Sequence, residues 1–445
     1  MAEPSSGKKP AGTLYGALSL KPLTEAKAFL THTMEYTTER RAAAGGCPVF
    51  HAHPGVKSAL VTDHAGMEAV FEAPPHILDR ETEPGFGCLA LRTGELLDGV
   101  VPALVTHEVN HAGPRGLVDR VMATRESAFK EVCNRVLERG WPSLAGADRT
   151  CFDAAVVHTS VHLTFGWFFG MEGPPGAEHQ AWLKACFGLK TDTWLTNVLA
   201  GLAAPKPKAD VRAYSQTWLA KIRASAPYAS YVAIGAELGL PEADIAPHLL
   251  FAAGFNGGGG TYTTAFPALG VLHHDPALRK EIADELAGFK GDVDALDALP
   301  LLDAFLHETM RKFGRPRQYY RRVLRDTTIP TSSGESVELD AGTRLGLVAV
   351  AARQDPTVFA DPERFDPHRL LRDPALKAKV YAFGPAGAHG TYGCAGGANG
   401  TAPRLWKVVV ASLARTTDWR LDPAPVPNID APTGLDPDTT TWMRA

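Results

Sequence analysis

The chain has 445 residues, 45% of them hydrophobic and 21% charged, a globular balance that excludes a disordered or collagen-like chain in spite of 43 Gly and 34 Pro. Lys and Arg number 45 against 49 Asp and Glu, a formal charge of -4, so the bulk electrostatics give no reason to expect a nucleic-acid partner. The length suits one large domain or two; no segment reads as a flexible interdomain linker, and residues 1–445 are read as a single domain.

The opening MAEPSSGKKPAG is small and polar, and no long apolar run follows it. Neither a signal peptide nor a transmembrane anchor is expected, and the predicted location is soluble and cytoplasmic. Residues 23–100 form a β-containing N-terminal section, in which a short helical stretch precedes the strand-like runs CPVFHAH and KSALVTDH. From about residue 101 helical periodicity dominates, and after Arg311 short strands and a Pro-rich meander lead to a last apolar helix over 402–416. The fold class is therefore mainly α: a large helical body with small β-sheet sections.

The six cysteines are scattered without CxxC spacing, which argues against a zinc site or a disulfide framework and leaves single-thiol chemistry. In LPLLDAFLHETMRKF, Glu308 and Arg311 lie three apart on one helix face and can pair. An exposed pair of this kind is worth only about 0.3–0.5 kcal/mol, but its context adds to it. Downstream comes DPERFDPHR, where Arg364 is predicted to supply a second guanidinium to Glu308, and beyond it Cys394 in GTYGCAGG. A cysteine thiolate that ligates haem iron needs a turn whose backbone N–H groups point at the sulfur. Phe383, Gly387, Gly396 and further glycines surround Cys394, and the helix that follows places a positive dipole end near it.

These elements, in this order, resemble the cytochrome P-450 superfamily: the Glu-x-x-Arg helix, the Pro-Glu-Arg-Phe segment Pro362 to Phe365, and the Cys-Ala-Gly loop. The resemblance implies the cytochrome P-450 fold, with haem b (iron protoporphyrin IX) between a long central helix and the loop 383–397. It implies Cys394 as the metal ligand. It also implies that His111 and Arg115 of HEVNHAGPR, together with Arg321 or Arg322 of YYRRVLRD, hold the propionates. Glu308, Arg311 and Arg364 would be structural.

An oxygen-activating member of that superfamily needs an acid and an alcohol in its central helix to deliver protons. In LLFAAGFNGGGGTYTTAFPALG those two positions hold Asn256 and Gly257. A carboxamide cannot relay a proton as a carboxyl does, but it can donate a hydrogen bond to a preformed peroxide. Four successive glycines, 257–260, predict a locally opened turn there; a phosphate loop is disfavoured because no Lys-Ser/Thr follows. Phe383 to Cys394 spans eleven positions, longer than the usual loop. This insertion and the pattern Phe255, Asn256, Gly259, Gly260 resemble the allene oxide synthase and hydroperoxide lyase family, which acts on fatty acid hydroperoxides.

The activity this resemblance implies is rearrangement of a lipid hydroperoxide by homolytic O–O cleavage, to an allene oxide, aldehydes or an epoxyalcohol, with no dioxygen, NADPH or redox partner. Asn256 would orient the hydroperoxide, and Phe86 is the candidate distal aromatic. The alternatives are a dioxygen-dependent monooxygenase with a proton relay through Thr261, Thr263 or Thr264, and a haem-binding sensor without turnover. His51 with His53 and His273 with His274 read as packing or turn residues rather than a metal site.

Overall fold

A computed structural model describes residues 28–29, 32–51, 57–74, 76–80, 94–102, 111–187, 208–382, 400–415, 418–431, 434–436 and 440–444. The named helices are α1 (Thr33–Ala43), α2 (His64–Glu72), α3 (Ala112–Thr124), α4 (Glu126–Arg139), α5 (Phe152–Phe169), α6 (Gly176–Phe187), α7 (Ala209–Arg223) and α8 (Tyr228–Glu237). Three segments, Glu242–Leu250, Phe251–Gly259 and Gly260–His274, continue into one another through helical backbone angles at Phe251 and Gly260 and form one long helix, α9. After it come α10 (Pro276–Leu286), α11 (Pro300–Phe313) and α12 (Thr401–Ala414).

The strands are short: β1 (Val49–His51), β2 (Ser58–Val61), β3 (Leu78–Arg80), β4 (Arg149–Cys151), β5 (Tyr319–Val323), β6 (Thr327–Pro330), β7 (Ser336–Leu339), β8 (Arg344–Leu347), β9 (Trp419–Asp422), β10 (Val426–Pro427), β11 (Leu435–Asp436) and β12 (Thr441–Arg444). The main sheet has the order β1-β2-β8-β5-β3, so strands from the beginning of the chain are completed by strands from its last third. Only the β2–β8 pair is parallel in this sheet. A second sheet, β4-β12-β9, ties the end of the chain to the start of α5.

Helix α5 explains how the helical body packs. It is apolar on almost every side, with Phe152, Val156, Phe165 and Phe168 buried, the pattern of a helix surrounded by others rather than lying on a surface. It packs against α4, α6 and α9, and ends at Gly170 in the left-handed conformation (φ +67°) that a C-terminal cap requires. Trp141, on the approach to α5, donates its indole N–H to Ser412 on α12 at 2.8 Å. Helix α11 begins at Pro300, and the Glu285 carboxylate of α10 accepts from the N–H groups of Leu301 and Leu302, each at 2.8 Å. Two of the donors that every helix start leaves unpaired are satisfied in this way. Helices α11 and α12 both pack on the second half of α9. Among the described residues no helix is long and apolar enough to cross a membrane.

Candidate active site

The centre of α9 departs from α geometry. Phe251–Gly259 form a π-helix, the wide turn that appears where a helix must bulge and that recurs at functional sites. Its glycines have two jobs. A Cβ at Gly257 would stand 2.8 Å from Thr164 Cγ2, one at Gly258 2.5 Å from Val161 Cγ1, and one at Gly259 3.0 Å from Leu183 Cδ2. Those three glycines let α5 and α6 lie against the bulge. Gly260 is different, for a Cβ there would meet nothing within 4 Å among the described residues. Four residues before it, on the same face, Asn256 is exposed while Phe251 to Phe255, Gly258 and Gly259 are buried. The wide turn thus offers one carboxamide and one bare backbone position to open space, inside an otherwise packed helix. The sequence prediction of an opened turn therefore holds at Gly260 and Asn256; the other three glycines serve helix packing.

Two hydroxyls that follow on α9 bond back to its own backbone. The Thr263 and Thr264 hydroxyls both donate to the Gly260 carbonyl, at 3.2 and 3.1 Å, and Thr264 also lies 3.3 Å from Met310 Sδ. Thr261 is buried. From Ile245 to His274 the helix contains no Asp or Glu.

On the other side of α9, α11 presents Glu308 and Arg311, neither with any exposed side chain. Arg311 Nε and Nη2 donate to the two Glu308 oxygens, each at 2.8 Å, the forked geometry available to Arg alone. The remaining donors of Arg311 reach the carbonyls of Pro362 at 2.8 Å and Arg364 at 3.0 Å, and Glu308 accepts from the Asp366 N–H at 2.9 Å. The pair thereby fastens the Pro-rich segment through its backbone. The expectation that Arg364 gives Glu308 a second guanidinium is corrected: the Arg364 side chain is exposed, and the guanidinium beside Glu308 is that of Arg369, with Nε at 3.3 Å. The turn at Asp361, which has φ +47°, is followed by a short helix over His368–Arg372 that carries Arg369 inward.

Arg353 does similar work one segment later. It is fully buried and donates to the carbonyls of Val380 at 2.9 Å and Tyr381 at 3.0 Å, the last stretch before the cysteine-containing segment. Sequence reasoning missed Arg353 and Arg369, although Arg369 sits within DPERFDPHR, which it had singled out.

His111 is buried at the start of α3, one turn before Arg115, whose Nε donates to both Asp119 oxygens at 2.9 Å. Arg321 and Arg322 are neighbours on β5, and successive strand residues point to opposite faces, so only one of them can turn to any given ligand. Phe86, Phe383, Gly387, Cys394 and Gly396 lie outside the described residues. Among the described residues no cluster of His, Cys, Asp and Glu could hold a metal ion. His51 Nδ1 lies 3.0 Å from the Ser58 carbonyl within the main sheet.

Comparison with known proteins now adds to this geometry. Residues 247–402, which run from α9 through the Glu308–Arg311 pair to the start of α12, match the cytochrome P450 family. Over those residues the chain carries a cytochrome P450 domain. Over its length the chain is similar to an epoxyalcohol synthase of Ectocarpus siliculosus, at 28% identity covering 94% of this chain and 93% of the relative. It is also similar to a mitochondrial hydroperoxide bicyclase of Plasmodiophora brassicae, at 29% identity covering 92% and 77%, and to a mitochondrial hydroperoxide bicyclase of E. siliculosus, at 26% identity covering 94% and 86%. The cofactor of a P450 is haem, and the residues present fit it. The bare face at Gly260, where a Cβ would meet nothing within 4 Å among the described residues, leaves room for a flat group against α9, with the Asn256 carboxamide on that same face.

Proposed function

We propose that this P450 rearranges fatty acid hydroperoxides without dioxygen, NADPH or a redox partner, and that its product is an isomer of the substrate, of the epoxyalcohol or bicyclic type. The observation that carries the reading is the exposed Asn256 on the wide turn of α9, in a helix with no carboxyl group from Ile245 to His274 and with the Thr263 and Thr264 hydroxyls already committed to the Gly260 carbonyl. Splitting dioxygen calls for delivered protons. A hydroperoxide arrives with its O–O bond already made, and needs only to be held. The names of the full-length relatives, an epoxyalcohol synthase and hydroperoxide bicyclases, support the same class.

In this reading Cys394 is the thiolate ligand, and His111, Arg115 and one of Arg321 and Arg322 bind the propionates, with Phe86 as the candidate aromatic near the substrate. A haem held by a cysteine thiolate supplies, when bound, the one-electron chemistry that cleaves a peroxide O–O bond homolytically. The Asn256 N–H group donates to a hydroperoxide oxygen and fixes its approach. Conversion to an epoxyalcohol or bicyclic isomer keeps both oxygens of the hydroperoxide in the product.

The cations of α12 are paired within the chain. Arg404 pairs with Asp297 at 2.7 Å and Asp294 at 3.1 Å. Lys407 lies 2.9 Å from Asp303 and 3.3 Å from Asp297. Burial alone would raise the Asp303 carboxyl, but His307, Lys407 and Lys377 hold it at about 2.

The test uses a linoleate hydroperoxide carrying oxygen-18 in both peroxide positions. Mass spectrometry of the product is expected to find both labels in a product of unchanged elemental composition. Loss of one label as water would replace the proposed product by an allene oxide, and incorporation of unlabelled dioxygen would overturn the reading.

A further inference from the structure

We infer that His179, fixed by Tyr214, is a positioning residue that holds the wide turn of α9 open and so sets where Asn256 points; its link to catalysis rests on the role proposed above for Asn256. His179 lies on α6 with no exposed surface. Its Nε2 is 3.1 Å from the carbonyl oxygen of Gly254, inside the π segment, and its Nδ1 is 2.6 Å from the Tyr214 hydroxyl on α7. A carbonyl can only accept, so Nε2 carries the ring proton, Nδ1 is left as the acceptor, and Tyr214 donates. Each partner therefore selects the same tautomer. Burial lowers the His179 pKa to about 4, which keeps this neutral arrangement at working pH. The ring is hemmed in by Trp182 at 5.2 Å and by Phe165, edge to face, at 6.3 Å.

Gly254 is matched to this contact. A Cβ there would stand 3.0 Å from His179 Cε1 and 3.3 Å from Trp182 Cζ3, so only glycine lets the imidazole reach the carbonyl. A side chain inserted into the hydrogen-bond ladder is one of the recognised causes of a helix distortion. Here the donor comes from another helix and enters two residues before Asn256. If the bulge collapsed to α geometry, the ladder would slip by one residue and turn the face by about 100°, which would carry the carboxamide off the face it shares with Gly260. The clamp joins α6, α7 and α9 at the one turn whose shape matters to the site.

The test uses full-length, haem-loaded protein. His179→Leu is expected to lower kcat/KM for a linoleate hydroperoxide by about tenfold to a hundredfold, the cost of a misplacement of about 1 Å, mainly through kcat. It should also speed amide hydrogen exchange in residues 251–260 by at least about tenfold. His179→Gln, which retains a donor, should recover most of both. In an Asn256→Ala background the same His179→Leu change should alter kcat/KM by less than about twofold, because nothing is left to position. Full additivity of the two substitutions, or unchanged exchange over 251–260, would overturn the inference. Should His179→Leu fail to fold, Tyr214→Phe removes only the hydroxyl that fixes the tautomer and carries the same readouts, with an expected loss of about threefold. The exchange measurement needs no substrate, so a protein inert toward hydroperoxides but loosened by His179→Leu would refute the reaction and retain the clamp.

Discussion

Arg311→Ala is expected to destabilise the protein by about 3–5 kcal/mol, the cost of breaking a buried ion pair by removing one of its members. Glu308 would keep Arg369 at 3.3 Å and the Asp366 N–H at 2.9 Å but lose both forked bonds, and the Pro362 carbonyl would lose its donor while the Arg364 carbonyl would keep only Arg369 at 2.8 Å. Denaturant unfolding should show the shift, accompanied by poor haem retention, because the segment so fastened leads towards the cysteine loop. Arg311→Lys should rescue little, since an ammonium cannot fork. Arg364→Ala, by contrast, should stay within about 0.5 kcal/mol of the unaltered protein, as surface substitutions do, because Arg364 contributes its backbone carbonyl and its side chain is exposed. Equal costs for Arg311→Ala and Arg364→Ala would contradict this assignment of the pair.

The second large effect is on turnover rather than stability. Asn256→Ala should reduce kcat/KM for hydroperoxide by about a hundredfold to a thousandfold, the usual loss when a single donor to the reacting oxygen is removed. The fall should come mainly in kcat, since an interaction that strengthens as the bond breaks serves the transition state more than the bound substrate. The fold should not suffer, because Asn256 is exposed and Ala is the better helix former by about 0.5 kcal/mol. Asn256→Asp tests the sign of the contact, for it retains the shape, removes the donor and brings a negative charge towards the peroxide. Activity of Asn256→Asp equal to that of the unaltered enzyme would show that the carboxamide donates nothing.

Much of this architecture was legible because chemistry restricts it to few residue types. A forked ion pair on one helix face needs Glu and Arg at fixed spacing, and the last helix, read over 402–416, lies at Thr401–Ala414. The four glycines announced a distorted turn, since no regular helix tolerates such a run cheaply. What the glycines do was only half visible. That Gly257, Gly258 and Gly259 admit α5 and α6 while Gly260 faces open space depends on which helices pack there. The choice of Arg369 over Arg364 turns on the backbone path after Asp361, and both arginines lie in the same short motif. His179 left no signal at all, because its partners, Tyr214 and Gly254, are brought to it only by the packing of three helices. The sheet is a similar case: β1 and β2 read as strands of an N-terminal section, yet β8, which pairs with β2, lies in the last third of the chain.

The central claim is that the far side of the haem is built for a peroxide bond that already exists. Purified ferric protein mixed with a linoleate hydroperoxide under anaerobic conditions, with no reductant, tests it most directly through the loss of conjugated-diene absorbance. The account predicts complete, multiple-turnover consumption under those conditions. An inert mixture that turns over only when electrons and dioxygen are supplied would contradict it.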